Sequence, residues 1–269
     1  MGTPDTSGPR WSLITVTYNS AEALQRFWKD VELTDDVEWM VVDNNSSDNS
    51  VEVAKKLGAR VIQLNKNLGF GGANNVGFSD TNSPYVAFVN PDVTPKLTDL
   101  AALENVLADN PEALIAPQLL NDDGSLQPNG RGKPYLTYKI LHRLHPTLVE
   151  NVYRRYAQPG QIIEVDWLTG AVIAGTRKRL TLLGPWDETF FVYYEDTDLG
   201  LRNTLANGKN LLVGDVVWEH GWARETAHGF NFHAWKNETY SAAKFYYRYR
   251  RMLVARLPDR LSNTISNRV

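Results

Sequence analysis

The 269-residue sequence contains no cysteine. Disulfide bonds and thiolate metal sites are therefore excluded, and the composition fits a reducing compartment. A large net charge is also missing, because 28 basic and 31 acidic residues leave a formal charge of −3. Nothing in this balance draws the chain to nucleic acid, which we exclude as a partner.

Long hydrophobic runs are missing as well. No uncharged apolar stretch approaches the ~18 residues that a membrane-spanning helix needs. The first ten residues, MGTPDTSGPR, are polar and do not have the pattern of a signal peptide. We therefore expect a soluble protein, or one that is attached to a membrane only at its surface.

The rest of the composition is that of a globular protein, with 42% hydrophobic and 22% charged residues. The chain is long enough to bury a sizeable core, and no repeat or obvious linker divides it. We predict a flexible N-terminus over 1–10, one main domain over 11–233, and a C-terminal helix over 234–269.

Short apolar runs alternate with helical patterns in the first hundred residues. Strands are predicted over 12–17, 39–43, 60–64 and 85–90, with amphipathic helices between or after them. This alternation is typical of an α/β fold with a mostly parallel central sheet flanked by helices. In such sheets ligands bind at the carboxyl ends of the strands.

Polar residues follow several of these predicted strands. The residues concerned are Thr17, Tyr18, Asn19, Asp43, Asn45, Asn90 and Asp92. An isolated Asn-Pro-Asp sequence is more often a turn than a metal site. Polar groups at several neighbouring strand ends, however, indicate a single pocket.

Two segments are rich in glycine. The segment 67–77, NLGFGGANNVG, could bring its backbone or a helix start close to a phosphate, although a plain loop is an alternative. It has neither the Walker ending nor the G-x-G-x-x-G spacing. The segment 122–134 contains glycine and proline among polar residues and is predicted to be a mobile surface loop.

Three acidic residues, Glu195, Asp196 and Asp198, follow the aromatic sequence FFVYY. A helix N-terminus favours carboxylates, and Asp198 can pair with Arg202 four residues later, so capping and pairing account for Asp198. Aromatic surroundings would raise the pKa of Glu195 or Asp196 by desolvation, which suits a general base.

The C-terminal stretch 236–269 has eight basic residues and two acidic ones, a charge of +6, with aromatic residues between them. A basic aromatic helix can lie on an anionic membrane. Alternatively, the helix packs its apolar side on the domain and leaves its arginines in solvent. The sequence does not decide between these two arrangements.

Six motifs occur in a familiar order between Ser12 and His220: TVTYNS, VVDNNSSDNS, NLGFGGANNVG, FVNPDV, WLTGAVIA and FFVYYEDTDLGLR. On these motifs the chain resembles the family 2 glycosyltransferases, which have the GT-A fold. Within that family it is most similar to bacterial rhamnosyltransferases that use dTDP-L-rhamnose.

The resemblance implies a role for each matching position. Asp196 would be the catalytic base, and Asp92 and His220 would hold Mg²⁺ or Mn²⁺. The first acid of the family's metal motif is replaced here by Asn90. The nucleotide would contact Thr17, Tyr18, Asn19, Asp43, Asn45, Gly69, Asn74, Asn75 and Asn90. The donor sugar and the acceptor would contact Trp167, Gly170, Ala171 and Glu195.

The resemblance also implies the reaction. The enzyme would move L-rhamnose, with inversion, from dTDP-L-rhamnose to a hydroxyl of a cell-wall or surface polysaccharide, either lipid-linked or free. The glycine-rich 122–134 segment would serve as a lid that excludes water. We expect a cytoplasmic enzyme, or one held at the inner face of the plasma membrane through residues 236–269.

Three other functions compete with that of a rhamnosyltransferase. A UDP-hexose donor would leave the chemistry unchanged. A non-catalytic module that binds a nucleotide sugar or a glycan would need no base. A sugar nucleotidyltransferase is disfavoured, because TYNSAEA after the first strand lacks the expected glycine-rich basic loop.

Overall fold

The computed structural model describes residues 8–221 and 232–255 of the chain. Most of the N-terminus that was expected to be flexible therefore lies outside the described residues. The last part of the basic C-terminal stretch, 256–269, lies outside them as well.

Strands and helices alternate over the described residues. The strands are β1 (Trp11–Thr17), β2 (Val37–Asp43), β3 (Arg60–Gln63), β4 (Tyr85–Val89), β5 (Val93–Thr94), β6 (Leu114–Leu120), β7 (Leu126–Gln127), β8 (Gly130–Arg131), β9 (Arg154–Arg155), β10 (Ile162–Val165), β11 (Trp167–Leu168), β12 (Val172–Thr176) and β13 (Asn210–His220). The helices are α1 (Ala21–Phe27), α2 (Ser50–Lys56), α3 (Gly69–Ser79), α4 (Leu100–Asp109), α5 (Leu136–Leu144), α6 (Pro146–Tyr153), α7 (Arg177–Leu183), α8 (Glu195–Leu205) and α9 (Phe232–Arg248). Two short 3₁₀ turns, Leu97–Asp99 and Arg250–Met252, adjoin α4 and α9.

The main sheet has the strand order β10-β13-β6-β12-β4-β1-β2-β3. Strands β4, β1, β2 and β3 are parallel, as are β13 and β6, whereas β12 runs antiparallel between the two groups. The strands β11, β8 and β9 form a small antiparallel sheet. The predicted α/β fold with a mostly parallel central sheet flanked by helices is therefore confirmed.

Both faces of the sheet are buried. Neighbouring strand residues alternate between two apolar clusters, so that Leu13 belongs to one cluster and Ile14 to the other. Because successive side chains point to opposite faces of a strand, these clusters lie on opposite sides of the sheet. Burial on both faces explains why the strands read as continuous apolar runs in the sequence.

The glycine-rich segment forms helix α3, so the plain-loop alternative is wrong. A Cβ atom on Gly77 would lie 2.6 Å from Cγ2 of Ile14 and 3.0 Å from Cγ2 of Val42. Gly77 therefore allows α3 to pack closely on the sheet. At the other end Gly69 has φ +79°, and a Cβ there would collide with the carbonyl oxygen of Phe191. The glycines at these two positions serve packing within the protein.

The segment 122–134 is not a mobile loop, and this prediction is corrected. Strand β7 pairs with β6, and β8 pairs with both β9 and β11. The side chains of Gln127 and Asn129 are buried. Cross-strand hydrogen bonds hold this segment in place, so it does not suit the role of a lid.

The C-terminal helix α9 packs its apolar side on the domain. Phe245, Tyr246, Tyr249 and Met252 are buried in one cluster with residues that flank or belong to α8. Of the two arrangements left open by the sequence, the described residues show packing. No helix in this described part of the chain is long and apolar enough to cross a membrane.

Replacing Gly69 with Ala tests the close contact at the start of α3. Gly124 is the matched control, because its φ of +77° is nearly the same but open space surrounds it. A left-handed alanine costs about 1–2 kcal/mol at either position. We expect Gly69→Ala to lower the free energy of unfolding by about 1–3 kcal/mol more than Gly124→Ala, because of overpacking. Equal losses in urea denaturation would contradict this packing role.

Candidate functional site

The carboxyl ends of β1 and β2 lie side by side, with Thr17 opposite Asp43 in the parallel register. The Thr17 hydroxyl donates to Oδ1 of Asp43 over 3.0 Å, and the Ser46 N–H donates to Oδ2 over the same distance. Both residues at the strand ends are fully buried. Asp43 therefore organises the loop after β2, and its predicted base contact remains a prediction.

The loops after these strands are open to solvent and held in left-handed turns. Asn19 has φ 53° and Asn45 has φ 67°. The side-chain Oδ1 of Asn19 accepts a hydrogen bond from the Ser47 N–H, which connects the two loops. Tyr18 is 53% exposed beside them. An exposed aromatic ring on a fixed loop is suited to stacking on a flat ring such as a nucleobase.

Asn44 follows β2 at the strand ends but received no role from the sequence, although it joins this edge to α3. Its Nδ2 donates to the side chain of Asn67 and to the carbonyl oxygen of Gly69, and its Oδ1 accepts from the Leu68 N–H. Only its position between Asp43 and Asn45 could have indicated it. The buried amide fixes the distance between the β2 loop and the start of α3.

The asparagines of α3 bond within the protein. Asn74 is buried and donates from Nδ2 to the Phe70 carbonyl oxygen over 3.1 Å. Asn75 donates to the Trp186 carbonyl oxygen and accepts from the Trp186 N–H. Asn75 and Gly69 therefore stabilise the contact between α3 and the segment before α8, whereas the bond of Asn74 lies within α3. Their contact with a nucleotide remains a prediction.

The sheet brings Asp92 and His220 together, as predicted. These two residues are distant in sequence but adjacent in space because β13 pairs with β5, where His220 lies opposite Val93. The Nε2 atom of His220 is 3.3 Å from Oδ1 of Asp92. Its Nδ1 atom is 2.5 Å from Oε1 of Gln127. An amide oxygen only accepts hydrogen bonds, so a neutral His220 donates from Nδ1 and presents the Nε2 lone pair towards Asp92.

The same edge has a third oxygen. Oδ1 of Asn90 is buried and has no hydrogen-bond partner. Within 8–221 and 232–255, no group of three or more His, Asp or Glu side chains is arranged to hold a metal. A carboxylate, an imidazole nitrogen and an unpartnered amide oxygen are nevertheless donors that Mn²⁺ and Mg²⁺ accept. The residues present therefore fit a divalent cation if Asn90 acts in place of the missing acid.

The turn before β12 connects this edge to the acidic cluster. The Asn90 N–H donates to the Ala171 carbonyl oxygen over 2.9 Å. The neighbouring Gly170 N–H donates to Oδ2 of Asp196 over 3.0 Å. Trp167 is buried, and its indole N–H donates a hydrogen bond to the Gly132 carbonyl oxygen. Gly170 and Ala171 thus lie beside Asp196, whereas the buried Trp167 supports the turn from below.

Two consecutive tyrosines set the direction of the acidic residues. Tyr193 and Tyr194 have φ 67° and 72°, a left-handed conformation that side chains rarely adopt. Such backbone strain is concentrated at functional sites. Tyr194 is the N-cap residue of α8, and no side chain caps this end. The expectation that Asp198 caps the helix is therefore wrong.

Asp198 instead joins three partners below the site. It is fully buried and accepts hydrogen bonds from Arg202 over 2.6 Å, as predicted, and from Arg248 and Tyr249 over 2.8 Å each. The last two residues come from α9 and its C-terminal end. This ion pair and hydrogen-bond network attaches the C-terminal helix to the helix that carries Asp196.

Glu195 and Asp196 have different environments. Burial, followed by the nearby charge of Asp196, raises the pKa of Glu195 well above its ordinary value. Oε2 of Glu195 is buried without a hydrogen-bond partner. Burial also raises the pKa of Asp196, but the N–H groups of Gly170 and Thr197 oppose the rise. The backbone donors therefore favour the negative charge of the pair on Asp196 rather than on Glu195.

Two basic residues near Asp196 had no signal in the sequence, because α5 and β8 were not predicted. Lys139 lies on α5, with Nζ 3.7 Å from the centre of the Tyr194 ring. Arg131 lies on β8, with its guanidinium 6.0 Å from the centre of the Trp167 indole. The site thus contains a carboxyl group that backbone donors favour in its charged form, with two cations nearby.

Comparison with known proteins assigns the chain to a family. Residues 12–168 match the family model described as glycosyl transferase family 2. The chain is similar to N-acetylglucosaminyl-diphospho-decaprenol L-rhamnosyltransferase of Mycobacterium tuberculosis, at 29% identity over 235 residues. That alignment covers 80% of this chain and 76% of the relative.

Two solved structures show the same fold. GalNAc-T7 with UDP, GalNAc and Mn²⁺ superposes with a TM-score of 0.62 at 13% identity, covering 89% of this chain but only 48% of that one. The mannosyltransferase PcManGT from Pyrobaculum calidifontis, in complex with GDP-Man and Mn²⁺, has a TM-score of 0.59 at 17% identity. That match covers 94% of this chain and 67% of the other. These likenesses confirm the expected GT-A fold.

Replacing each acid of the pair by its amide tests the assignment of the base. Asp196→Asn removes the proton acceptor, so we expect the initial rate of turnover to fall by about 10²–10⁴-fold. Glu195→Gln replaces a neutral acid with an amide of the same shape, so its rate should stay within about tenfold of the wild type. Equal losses from both changes, in variants with wild-type unfolding temperatures, would overturn the assignment.

Proposed function

The chain belongs to glycosyl transferase family 2 and is a glycosyltransferase, and we propose that its donor is dTDP-L-rhamnose. The proposed acceptor is a sugar hydroxyl on a lipid-linked precursor of a cell-wall or surface polysaccharide. The similarity to the mycobacterial rhamnosyltransferase supports both choices. The observation on which the proposal mainly rests is Asp196, a carboxyl group at a strained helix start that accepts a hydrogen bond from the Gly170 N–H.

In the proposed reaction, Asp196 accepts the proton of the acceptor hydroxyl as the C–O bond forms. The acceptor oxygen attacks the anomeric carbon from the face opposite the nucleoside diphosphate, so that configuration at this carbon inverts. The bond from the anomeric carbon to the diphosphate oxygen breaks, and the nucleoside diphosphate leaves with that electron pair. Neutral Glu195 can donate a hydrogen bond to an acceptor hydroxyl and orient it.

The donor would lie along the strand ends. Tyr18 would stack on the base, and the loops that contain Asn19, Asp43 and Asn45 would surround the base and ribose. Asn90, Asp92 and His220 would hold a divalent cation, Mg²⁺ or Mn²⁺. Such a cation would neutralise charge on the diphosphate. Both solved structures described above contain Mn²⁺, which supports this cofactor.

A UDP-hexose donor is the second candidate, since GalNAc-T7 was crystallised with UDP. The two nucleotides differ by a base methyl and a ribose hydroxyl, and the chemistry at Asp196 would be unchanged. A non-catalytic binding module is disfavoured. Such a module has no need for a strained backbone that holds an ionised carboxylate against a neutral acid.

We also propose a cytoplasmic enzyme that binds the inner face of the plasma membrane peripherally. Much of the aromatic surface of 236–255 is buried against the domain. Tyr240 and Tyr247 are the tyrosines of this stretch that stay exposed for contact with a membrane. The α5–α6 hairpin adds a second apolar surface. We call it the hairpin surface, and it consists of the exposed side chains Ile140, Leu144, Leu148 and Val254. Three exposed cations, Arg143, Arg250 and Arg251, belong to the same segments and suit anionic lipid.

Calorimetric titration with dTDP and UDP, each with and without Mn²⁺, tests the donor. We expect metal-dependent binding that favours dTDP, followed by transfer of rhamnose from dTDP-L-rhamnose to a lipid-linked sugar. His220→Ala should abolish most of the metal dependence, because one nitrogen ligand is lost. Tighter binding of UDP would contradict the donor. If the folded protein bound neither nucleotide, the proposed function itself would fail.

Cosedimentation with vesicles of anionic and neutral lipid tests the hairpin surface. Leu144→Glu together with Leu148→Glu places charges on the apolar surface, and we expect binding to anionic vesicles to fall at least about tenfold. Leu182→Glu is the matched control, because Leu182 is 70% exposed on α7 outside this surface. An equal effect of the control, or no binding by the wild type, would contradict the membrane contact.

A further inference from the structure

We propose that Arg131 and Lys139 form a subsite for a phosphate group of a substrate, beside Asp196. We call it the cationic subsite, and its assignment to a glycosyl acceptor rests on the proposed function. Both cations are partly withdrawn from water, and within residues 8–221 and 232–255 neither forms an ion pair with a carboxylate.

Lys139 points its ammonium group at the Tyr194 ring. Over 8–221 and 232–255, its nitrogen forms no ion pair with a carboxylate within 4.0 Å. Burial lowers its pKa to about 8, while the charges of Asp196 and Glu238 act in the opposite direction. At neutral pH it is therefore still mostly a cation.

Arg131 is in a similar position. One nitrogen, Nη1, donates to the carbonyl oxygens of Pro128 and Gly130, and no described carboxylate pairs with the guanidinium. Burial lowers its pKa to about 10, so the group stays charged. The remaining donors of the planar group are available for bidentate recognition of phosphate.

Two other sequestered arginines of this protein have carboxylate partners. Arg179 pairs with Glu112, and Arg202 pairs with Asp198. The half-buried Arg177 has none among the described residues, but its guanidinium donates to oxygens of Phe78, Thr81 and Ser83. Arg131 and Lys139 have neither a described carboxylate partner nor such a set of acceptors, so these two cations near Asp196 indicate a place for an anion supplied by a ligand.

A phenol extends the same group. Tyr153 ends α6, and burial raises its pKa to about 12, so its hydroxyl keeps its proton. Tyr153 directly precedes Arg154, which pairs with Arg131 between β9 and β8, so the phenol belongs to the neighbouring part of the fold. Two cations and an O–H donor make a set suited to phosphate oxygens. A neutral sugar would add no negative charge beside the two cations.

Two substrates could supply the phosphate. The donor diphosphate would be neutralised at the Asp92 and His220 edge, where the fit to a cation was described. The cationic subsite lies on the other elements, β8 and α5. Lys139 is also followed directly by Ile140 of the hairpin surface. We therefore expect the phosphate to belong to the acceptor, whose lipid chain would extend along that surface.

Calorimetry with full-length variants tests the cationic subsite, with farnesyl diphosphate as the acceptor-like probe and dTDP as the donor-like probe. Arg131→Met and Lys139→Met should each weaken binding of farnesyl diphosphate at least about tenfold, since charged hydrogen bonds are lost. Lys178→Met is the control, because Lys178 is an exposed cation on α7, outside both the cationic subsite and the hairpin surface. It should leave that binding unchanged.

The two probes separate the source of the phosphate. Weaker binding of dTDP alone would retain the phosphate subsite but assign it to the donor. Unchanged binding of both probes would overturn the proposal. Binding of farnesyl diphosphate does not depend on turnover, so it reports on the subsite even if the enzyme uses another donor or none.

Thermal unfolding distinguishes a ligand-binding role from a structural one. If Lys139 only supports Tyr194, Lys139→Met should lower the unfolding temperature without ligand. If Lys139 is an unpaired cation kept for a ligand, the same change should leave that temperature equal or higher. Farnesyl diphosphate should then stabilise the wild type and not the variant. A lower unfolding temperature with unchanged probe binding would refute the cationic subsite.

Discussion

The buried carboxylate of Asp198 is the constraint on which the site depends. Asp198 forms an ion pair with Arg202 within α8. Its hydrogen bonds to Arg248 and Tyr249, about fifty residues further along the chain, attach α9 to α8. A carboxylate without these partners would be too costly to bury. With them, α8 has a fixed position, so that Asp196 in its first turn meets the Gly170 N–H.

The three acids after FFVYY show how one sequence cluster divides into three roles. Asp198 is charged and fully paired, Glu195 is buried without a partner for one oxygen, and Asp196 accepts backbone hydrogen bonds. The repulsion between the three carboxyl groups is reduced because they differ in burial and in hydrogen-bond partners. Environment thus turns three neighbouring residues of similar chemistry into an anchor, a neutral acid and a base.

Sequence reasoning was sufficient where local pattern determines structure. Apolar runs located the strands, and the order of the motifs brought Asp92, His220, Gly170 and Asp196 to one edge. It failed where long-range packing decides. The 122–134 segment has loop composition but is held by pairing across three strands, and the glycines of α3 are required by Ile14, Val42 and Phe191. Lys139 and Arg131 were missed because their importance comes from missing partners, which only coordinates reveal.

The attachment of α9 also has a consequence for biosynthesis. A ribosome makes the chain from its N-terminus, so the sheet and α8 emerge well before Arg248 and Tyr249. Until those residues emerge, Asp198 lacks two of its three partners, and the helix that carries the base is not fixed. The nascent protein therefore has the edge formed by the strand ends before the surroundings of Asp196 are ordered. The position of Asp196 is fixed only after α9 has emerged from the ribosome and packed on α8.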